Sequence, residues 1–95
     1  MAVKILIKRR IMPDVADGVD FLIKKLRALV SQQPGYISGE TFKRLDEEDH
    51  IMVISTWKTL QDWERWANTK ERNELEEQIA VMLRAPTEFE IYENM

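Results

Sequence analysis

All three tryptophans of the chain lie within ten residues, at Trp57, Trp63 and Trp66. The apolar run Ile51-Met52-Val53-Ile54-Ser55-Thr56 leads into Trp57, and a helix-start signal follows at once. Three large flat rings at one strand-to-helix junction can fill a core, or they can wall a cavity that takes an aromatic ligand. Trp63 and Trp66 are three residues apart and share a helix face, the ordinary arrangement for packing inward. Trp57 and Trp63 read first as core rings, which would also touch a substrate in an adjoining cleft. Trp66 sits one turn further on, near the helix end. Its indole N–H needs an acceptor if buried, and in an apolar cleft that acceptor could be a ligand oxygen.

Candidates for proton transfer are fewer. Glu40 lies inside an apparent strand, Ser38-Gly39-Glu40-Thr41-Phe42. Facing a cleft, it would have a raised pKa and could act as a base. The competing reading pairs it with Lys4, Lys8 or Arg10 across a sheet. His50 is the only histidine and follows Asp46-Glu47-Glu48-Asp49 in a polar loop, where it reads as solvated. That acidic spacing matches no calcium-binding loop. Glu71, Glu74, Glu76 and Glu77 read as a solvated helix face. There is no glycine-rich phosphate loop, nucleophile elbow or metal-ligand cluster in the sequence.

Composition narrows the classes further. Fourteen basic and seventeen acidic residues leave a net charge of −3, a poor match to phosphate-backbone binding, so no nucleic acid is expected. The chain has no cysteine, which removes disulfides, zinc–thiolate sites, iron–sulfur clusters and thiol nucleophiles. The apolar stretch near Met1 is too short for a signal peptide, and no run approaches a membrane span. A cytoplasmic protein without membrane association is expected. Ninety-five residues (1–95) make a single domain with a modest core.

The elements that must position these residues follow from periodicity. Val3 to Ile11 alternates, with Val3, Ile5 and Ile7 on one side and Lys4, Leu6, Lys8 and Arg10 on the other, as in a half-buried strand. Pro13 and Asp14 open a helix, on which Val15, Val19, Leu22, Ile23, Leu26, Leu29 and Val30 form one face. Pro34-Gly35 ends the connection. Tyr36 to Leu45 and Ile51 to Trp57 read as two strands around a hairpin loop. Thr59-x-x-Asp62 resembles a capping box for the helix that carries the tryptophans. Asn68-Thr69 interrupts that helix, and Thr69 can cap a second one that uses Leu75, Ile79, Met82 and Leu83. Pro86 stops it, and Thr87 to Glu93 is a last strand. The order is βαββαβ with a split second helix, which predicts an α+β, ferredoxin-like sandwich with helices on one sheet face. The other face must carry either Met52, Ile54 and Thr56 or Ile51, Val53, Ser55 and Trp57 from the third strand. Both sets are apolar enough to need a cover, so a homodimer packed sheet to sheet is expected.

Three segments carry a resemblance to a known family. They are Gln33-Pro34-Gly35-Tyr36-Ile37-Ser38-Gly39-Glu40, Ile54-Ser55-Thr56-Trp57 with Leu60-Gln61-Asp62-Trp63-Glu64-Arg65-Trp66, and Pro86-Thr87-Glu88-Phe89-Glu90-Ile91-Tyr92-Glu93. Together they resemble the antibiotic biosynthesis monooxygenase (ABM) domain. The resemblance implies a dimeric α/β barrel with a cleft between sheet and helices in each subunit. It also implies one of several activities. Some members oxidise phenols or quinols with molecular oxygen as co-substrate and no metal or flavin; others degrade heme. The heme-degrading branch uses an asparagine, a tryptophan and a histidine. Trp66 matches the tryptophan, but Lys8 stands near the asparagine position and Glu76 near the histidine position, so the axial ligand is missing and heme is not expected. The cofactor-free branch needs an apolar pocket, an oxyanion donor and a base. The resemblance offers Trp66 as donor, Glu40 as base and Asn68 as a further polar group, with Trp57 and Trp63 against the substrate. The expected function is cofactor-independent oxygenation of an apolar aromatic small molecule. The alternatives are a non-catalytic dimeric module that binds a small ligand and, after it, a heme-degrading monooxygenase.

Overall fold

A computed structural model describes residues 2–95; Met1, at the start of the expected domain, lies outside the described residues. Strand β1 spans Val3–Arg10. A short 3-10 turn at Pro13–Val15 leads into helix α1, Ala16–Val30. Strands β2 (Tyr36–Lys43) and β3 (His50–Trp57) form a hairpin. Helices α2 (Leu60–Ala67) and α3 (Lys70–Ala80) follow, and strand β4, Glu88–Glu93, closes the chain. This is the expected ferredoxin-like βαββαβ order with a split second helix. The sheet runs β2-β3-β1-β4 and every neighbouring pair is antiparallel.

The differences from the sequence reading lie at element ends. Pro13 opens a 3-10 turn rather than α1, which begins three residues later. Strand β2 stops at Lys43, short of Leu45, because Arg44 already donates its N–H to the His50 carbonyl to close the hairpin. His50, expected in the loop, therefore begins β3. Helix α3 ends at Ala80, so Met82 and Leu83 belong to the turn beyond it.

Register settles which face each side chain takes. Val3, Ile5, Ile7 and Arg9 lie opposite Trp57, Ser55, Val53 and Ile51, and this row faces the helices. Val3, Ile5 and Trp57 are buried there with Val19, Leu22 and Leu26 of α1, Trp63 and Trp66 of α2, and Leu75 and Ile79 of α3. The opposite face carries Lys4, Leu6, Lys8 and Arg10 against Thr56, Ile54, Met52 and His50. Phe42 and Glu40 of β2, and Tyr92 and Glu90 of β4, extend that outer row. Of the two sets open in the sequence, Met52, Ile54 and Thr56 are thus the outward one.

Two glycines permit close approaches. Gly35 has φ 83°, a left-handed conformation that turns the chain from α1 into β2, and any Cβ there would collide with the Asp62 carboxylate. At Gly39, a Cβ would stand 2.6 Å from Tyr36 Oη, so the missing side chain leaves room for the phenol.

Candidate functional site

Between α1 and the helix-facing side of β2 and β3 lies a groove with two lobes. The inner lobe is a cavity of about 320 Å³, within the size range of small-molecule sites. Ile7, Val53, Leu26 and Val30 give it apolar walls, and Trp63 and Trp66 close its end. The outer lobe, about 560 Å³, opens between the start of α1 and the β2–β3 hairpin. The lobes share Ile7, Arg9, Ile23, Arg27, Thr41 and Val53. Arg27 on α1 donates from Nη2 to Thr41 Oγ1 on β2 at 2.9 Å, a strap that crosses the groove where the lobes meet.

The capping residues of α2 and α3 aim the aromatic end. Thr59 Oγ1 accepts the Asp62 N–H at 3.1 Å and donates its own proton to Asp62 Oδ2 at 2.9 Å. Thr69 Oγ1 accepts the Arg72 N–H at 3.4 Å and donates to the Trp66 carbonyl at 2.9 Å. One hydroxyl thereby ties the last turn of α2, which bears Trp66, to the first turn of α3, which bears Arg72. Trp66 is 5% exposed and lines the cavity. Among the described residues its indole N–H makes no hydrogen bond.

The other expected site residues part ways. Trp63 lines the cavity and also belongs to the core, with its ring 5.9 Å from that of Trp57 in an edge-on arrangement. Trp57 is fully buried and stands behind the cavity wall rather than in it. Its Nε1 donates to Ser55 Oγ at 2.8 Å, and Ser55 in turn lines the cavity. Glu40 must be corrected. It pairs with Ile54 on the outer sheet face, exposed, while its neighbours Gly39 and Thr41, together with Tyr36 at the start of the strand, are the β2 residues that line the cavity. A one-residue step along a strand reverses the face. Nor does Glu40 take the expected ion pair, since Lys8 engages Glu90, Arg10 engages Asp49 and Lys4 donates to Thr56. Asn68 is exposed at the end of α2 and donates to the Glu64 carbonyl at 2.7 Å, a capping bond away from the cavity. His50 sits on the outer face near Glu47.

Two charged groups that the sequence reading passed over lie at the heart of the site. Arg9, 6% exposed, donates from Nη1 and Nη2 to the two Glu76 carboxylate oxygens at 2.8 Å each, and from Nη1 to Thr87 Oγ1 at 3.0 Å. Glu76 is therefore not part of a solvated face; it is a half-buried clamp between α3 and β1. Strict alternation already put Arg9 on the same side as Val3, Ile5 and Ile7, and a charge in an apolar row is a signal of a buried partner. Arg72 is the second. Its guanidinium lies 5.7 Å from the Trp63 ring centroid and 5.0 Å from that of Phe89. Burial pulls its pKa below the ordinary arginine value; Glu76 opposes that shift, and the nearby Arg9 adds to it. Arg72 and Glu76 share a helix face with Leu75 and Ile79, so spacing could have found both.

The residues present do not suit heme. The position expected to supply an axial ligand is Glu76, and both its oxygens are committed to Arg9. Among the described residues no three histidine, aspartate or glutamate side chains are grouped to hold a metal ion, and no helix is long and apolar enough to cross a membrane.

An antiparallel sheet with its helices on one face and a tryptophan-ended cleft beneath them is an α+β, ferredoxin-like architecture. The chain belongs to the antibiotic biosynthesis monooxygenase family, whose model matches residues 2–78. Comparison with curated protein sequences gives no match. Among solved structures, a conserved protein from Methanosarcina mazei Go1 superposes with a TM-score of 0.93 at 18% identity, covering 100% of this chain and 94% of that one. Rv0793 from Mycobacterium tuberculosis gives 0.89 at 10% identity, with 100% and 96% covered. SnoaB, a cofactor-independent oxygenase from Streptomyces nogalater, gives 0.85 at 13% identity, with 99% and 93% covered. At these identities the likeness is one of fold.

Proposed function

We propose that this protein is a cofactor-independent monooxygenase that oxidises a phenol- or quinol-like aromatic molecule in the inner lobe of the cleft. The observation that carries the reading is the uncommitted Trp66 N–H at the end of an aromatic-walled cavity of about 320 Å³. Family membership and the likeness to SnoaB support it. The chemistry balances without a further reductant. A ring CH₂, or its phenol tautomer, reacts with O₂ to give C=O and water, so the substrate supplies all four electrons. Its reactive form is the enolate or phenolate left after one proton departs.

The protein's tasks are then to bind the ring, to exclude water and to stabilise the oxyanion. Trp66 donates to that oxygen, and a donor fixed in a water-poor site acts most strongly where charge develops. Glu40 has no place in the mechanism, and Glu76 is held by Arg9. No carboxylate in the inner lobe is free to serve as base, so ionisation falls to the cationic surroundings, which lower the pKa of a bound phenol.

Oxygen uptake with a panel of quinols and phenols tests the reading. Trp66→Phe is expected to lower kcat by about a hundredfold while KM changes little, the cost of losing one oxyanion donor. Binding of panel members with no oxygen consumed by the wild-type protein would overturn it. That result would favour a dimeric ligand-binding module, a reading to which the lack of a free base in the cavity gives specific support.

A further inference from the structure

Tyr36 reaches the inner lobe through an irregularity of β2. Gly39, Thr41 and Lys43 face the helices, opposite Ser55, Val53 and Ile51. Strict alternation back from Gly39 would put Ile37 inside and Tyr36 outside. The register instead slips by one residue. Tyr36 pairs with Trp57 and Ser38 with Thr56, which leaves Ile37 as the extra residue of a bulge, 50% exposed. A bulge re-aims the side chains beside it. Tyr36 therefore turns inward, half-buried, and lines the inner lobe with Ser55, Trp63 and Trp66.

Two further features fix the phenol there. Its ring stands 5.4 Å from that of Trp57, edge-on at 74°, and Trp57 is itself held by Ser55. The strand beneath is cleared at Gly39, where a Cβ would lie 2.6 Å from Tyr36 Oη but 3.7 Å from Cζ, an ordinary contact. The glycine thus makes room for the hydroxyl rather than for the ring, and a phenylalanine at position 36 would not need it. Among the described residues that hydroxyl makes no hydrogen bond.

We infer that Tyr36 is a further ligand-contacting residue of the cleft, whose Oη hydrogen-bonds a hydroxyl of the ligand and selects for it. The inference rests on the proposed reading for the identity of the pocket and adds to it a residue that the mechanism above does not use. The chemistry of the two polar groups differs. An indole N–H only donates, whereas a phenol donates and accepts. Tyr36 can accept the proton of a neutral ligand hydroxyl and donate to the same oxygen once it is ionised, so its bond survives the loss of that proton.

1-Naphthol and 1-methylnaphthalene have nearly the same shape and differ in the hydroxyl, so equilibrium dialysis of the intact protein with each separates recognition of that group from ring burial. Tyr36→Phe is expected to weaken 1-naphthol about fivefold, the worth of one neutral hydrogen bond, and to leave 1-methylnaphthalene unchanged, which also shows that the variant is folded. Gly39→Ala should weaken 1-naphthol similarly in the wild-type chain, because its methyl displaces the hydroxyl, and add nothing in the Tyr36→Phe background. Unchanged 1-naphthol binding in Tyr36→Phe would overturn the inference, as would equal weakening of both ligands. Oxygen uptake that falls in Trp66→Phe but is untouched in Tyr36→Phe would sink this inference and leave the monooxygenase reading standing. A hydroxyl preference that depends on Tyr36, with no oxygen uptake by the wild-type protein, would do the reverse.

Discussion

Trp66 and Arg9 show how differently single residues enter this site. Trp66 brings an indole N–H that makes no hydrogen bond among the described residues, and its proposed worth lies in what it would offer a ligand. Arg9 brings a charge that the protein answers completely, with Glu76 and Thr87. The Arg9–Glu76 pair is nearly enclosed, its side chains 5% and 16% exposed, so deleting one partner strands the other in a place that cannot hydrate it. Glu76→Gln is expected to destabilise the fold by about 3 kcal/mol, measured by urea unfolding. Arg9→Met should cost a similar amount, because it leaves the carboxylate unmatched. The double variant Arg9→Met with Glu76→Leu should recover much of the loss, since a buried ion pair replaced by apolar side chains is often close to neutral. A loss under about 0.5 kcal/mol for either single change would mean that the pair is hydrated in solution.

At the scale of elements, the split of the second helix is what makes a cleft. A single continuous helix from Leu60 would carry Trp66 and Arg72 along one straight axis. The break at Asn68-Thr69 lets α3 turn, and Thr69 fastens the two halves by accepting from Arg72 and donating to Trp66. Thr69→Ala is therefore expected to cost about 1 kcal/mol, the usual worth of an N-cap, as read from chemical denaturation. It should also raise KM for the substrate, because both cavity residues lose their common anchor. Thr69→Ser keeps the hydroxyl and should restore both properties. The β2–β3 hairpin is held by charge instead. Arg10 holds the Asp49 carboxyl below the usual carboxylate range, chiefly through a hydrogen bond of 2.6 Å. A depressed folded-state pKa stabilises above the unfolded value of about 3.9 and loses that effect as pH falls through the lower folded value. The outer lobe, of which Asp49 is part, should accordingly loosen only in acid, below about pH 4, as followed by amide exchange in the hairpin.

For the whole molecule, the outer sheet face poses the remaining requirement. Leu6, Met52 and Ile54 form a half-buried apolar strip, flanked by exposed Phe42 and Tyr92. The ion pair of Lys8 with Glu90 and the bond of Lys4 to Thr56 cross that strip without covering it. A second copy packed sheet to sheet would bury it. The expected result is a stable homodimer that buries on the order of 2,000 Å² or more. Light scattering at micromolar concentration checks this directly; the subunit mass of 11.3 kDa would overturn it. Removing Phe89 to Met95 should weaken folding and dimerisation together, since β4 pairs with β1 and supplies Tyr92 to the outer face.

Period and punctuation in the sequence determined the element order, the split at Asn68-Thr69 and the βαββαβ architecture. Those signals are local: alternation marks a strand, and a hydroxyl before a helical run marks a helix start. The same sequence marked Trp66 as the ring to watch. What tertiary structure decided were matters of phase and pairing. Glu40 could belong to either sheet face until the register with β3 placed it opposite Ile54, outside the cleft. Glu76 looked solvated until α3 docked on β1 and brought Arg9 to it from 67 residues away. Arg72 became a site residue only when α3 folded back against Trp63 and Phe89. A strand's periodicity shows that its faces differ but not which face meets the helices, and a charge's role depends on partners that chain order does not bring near.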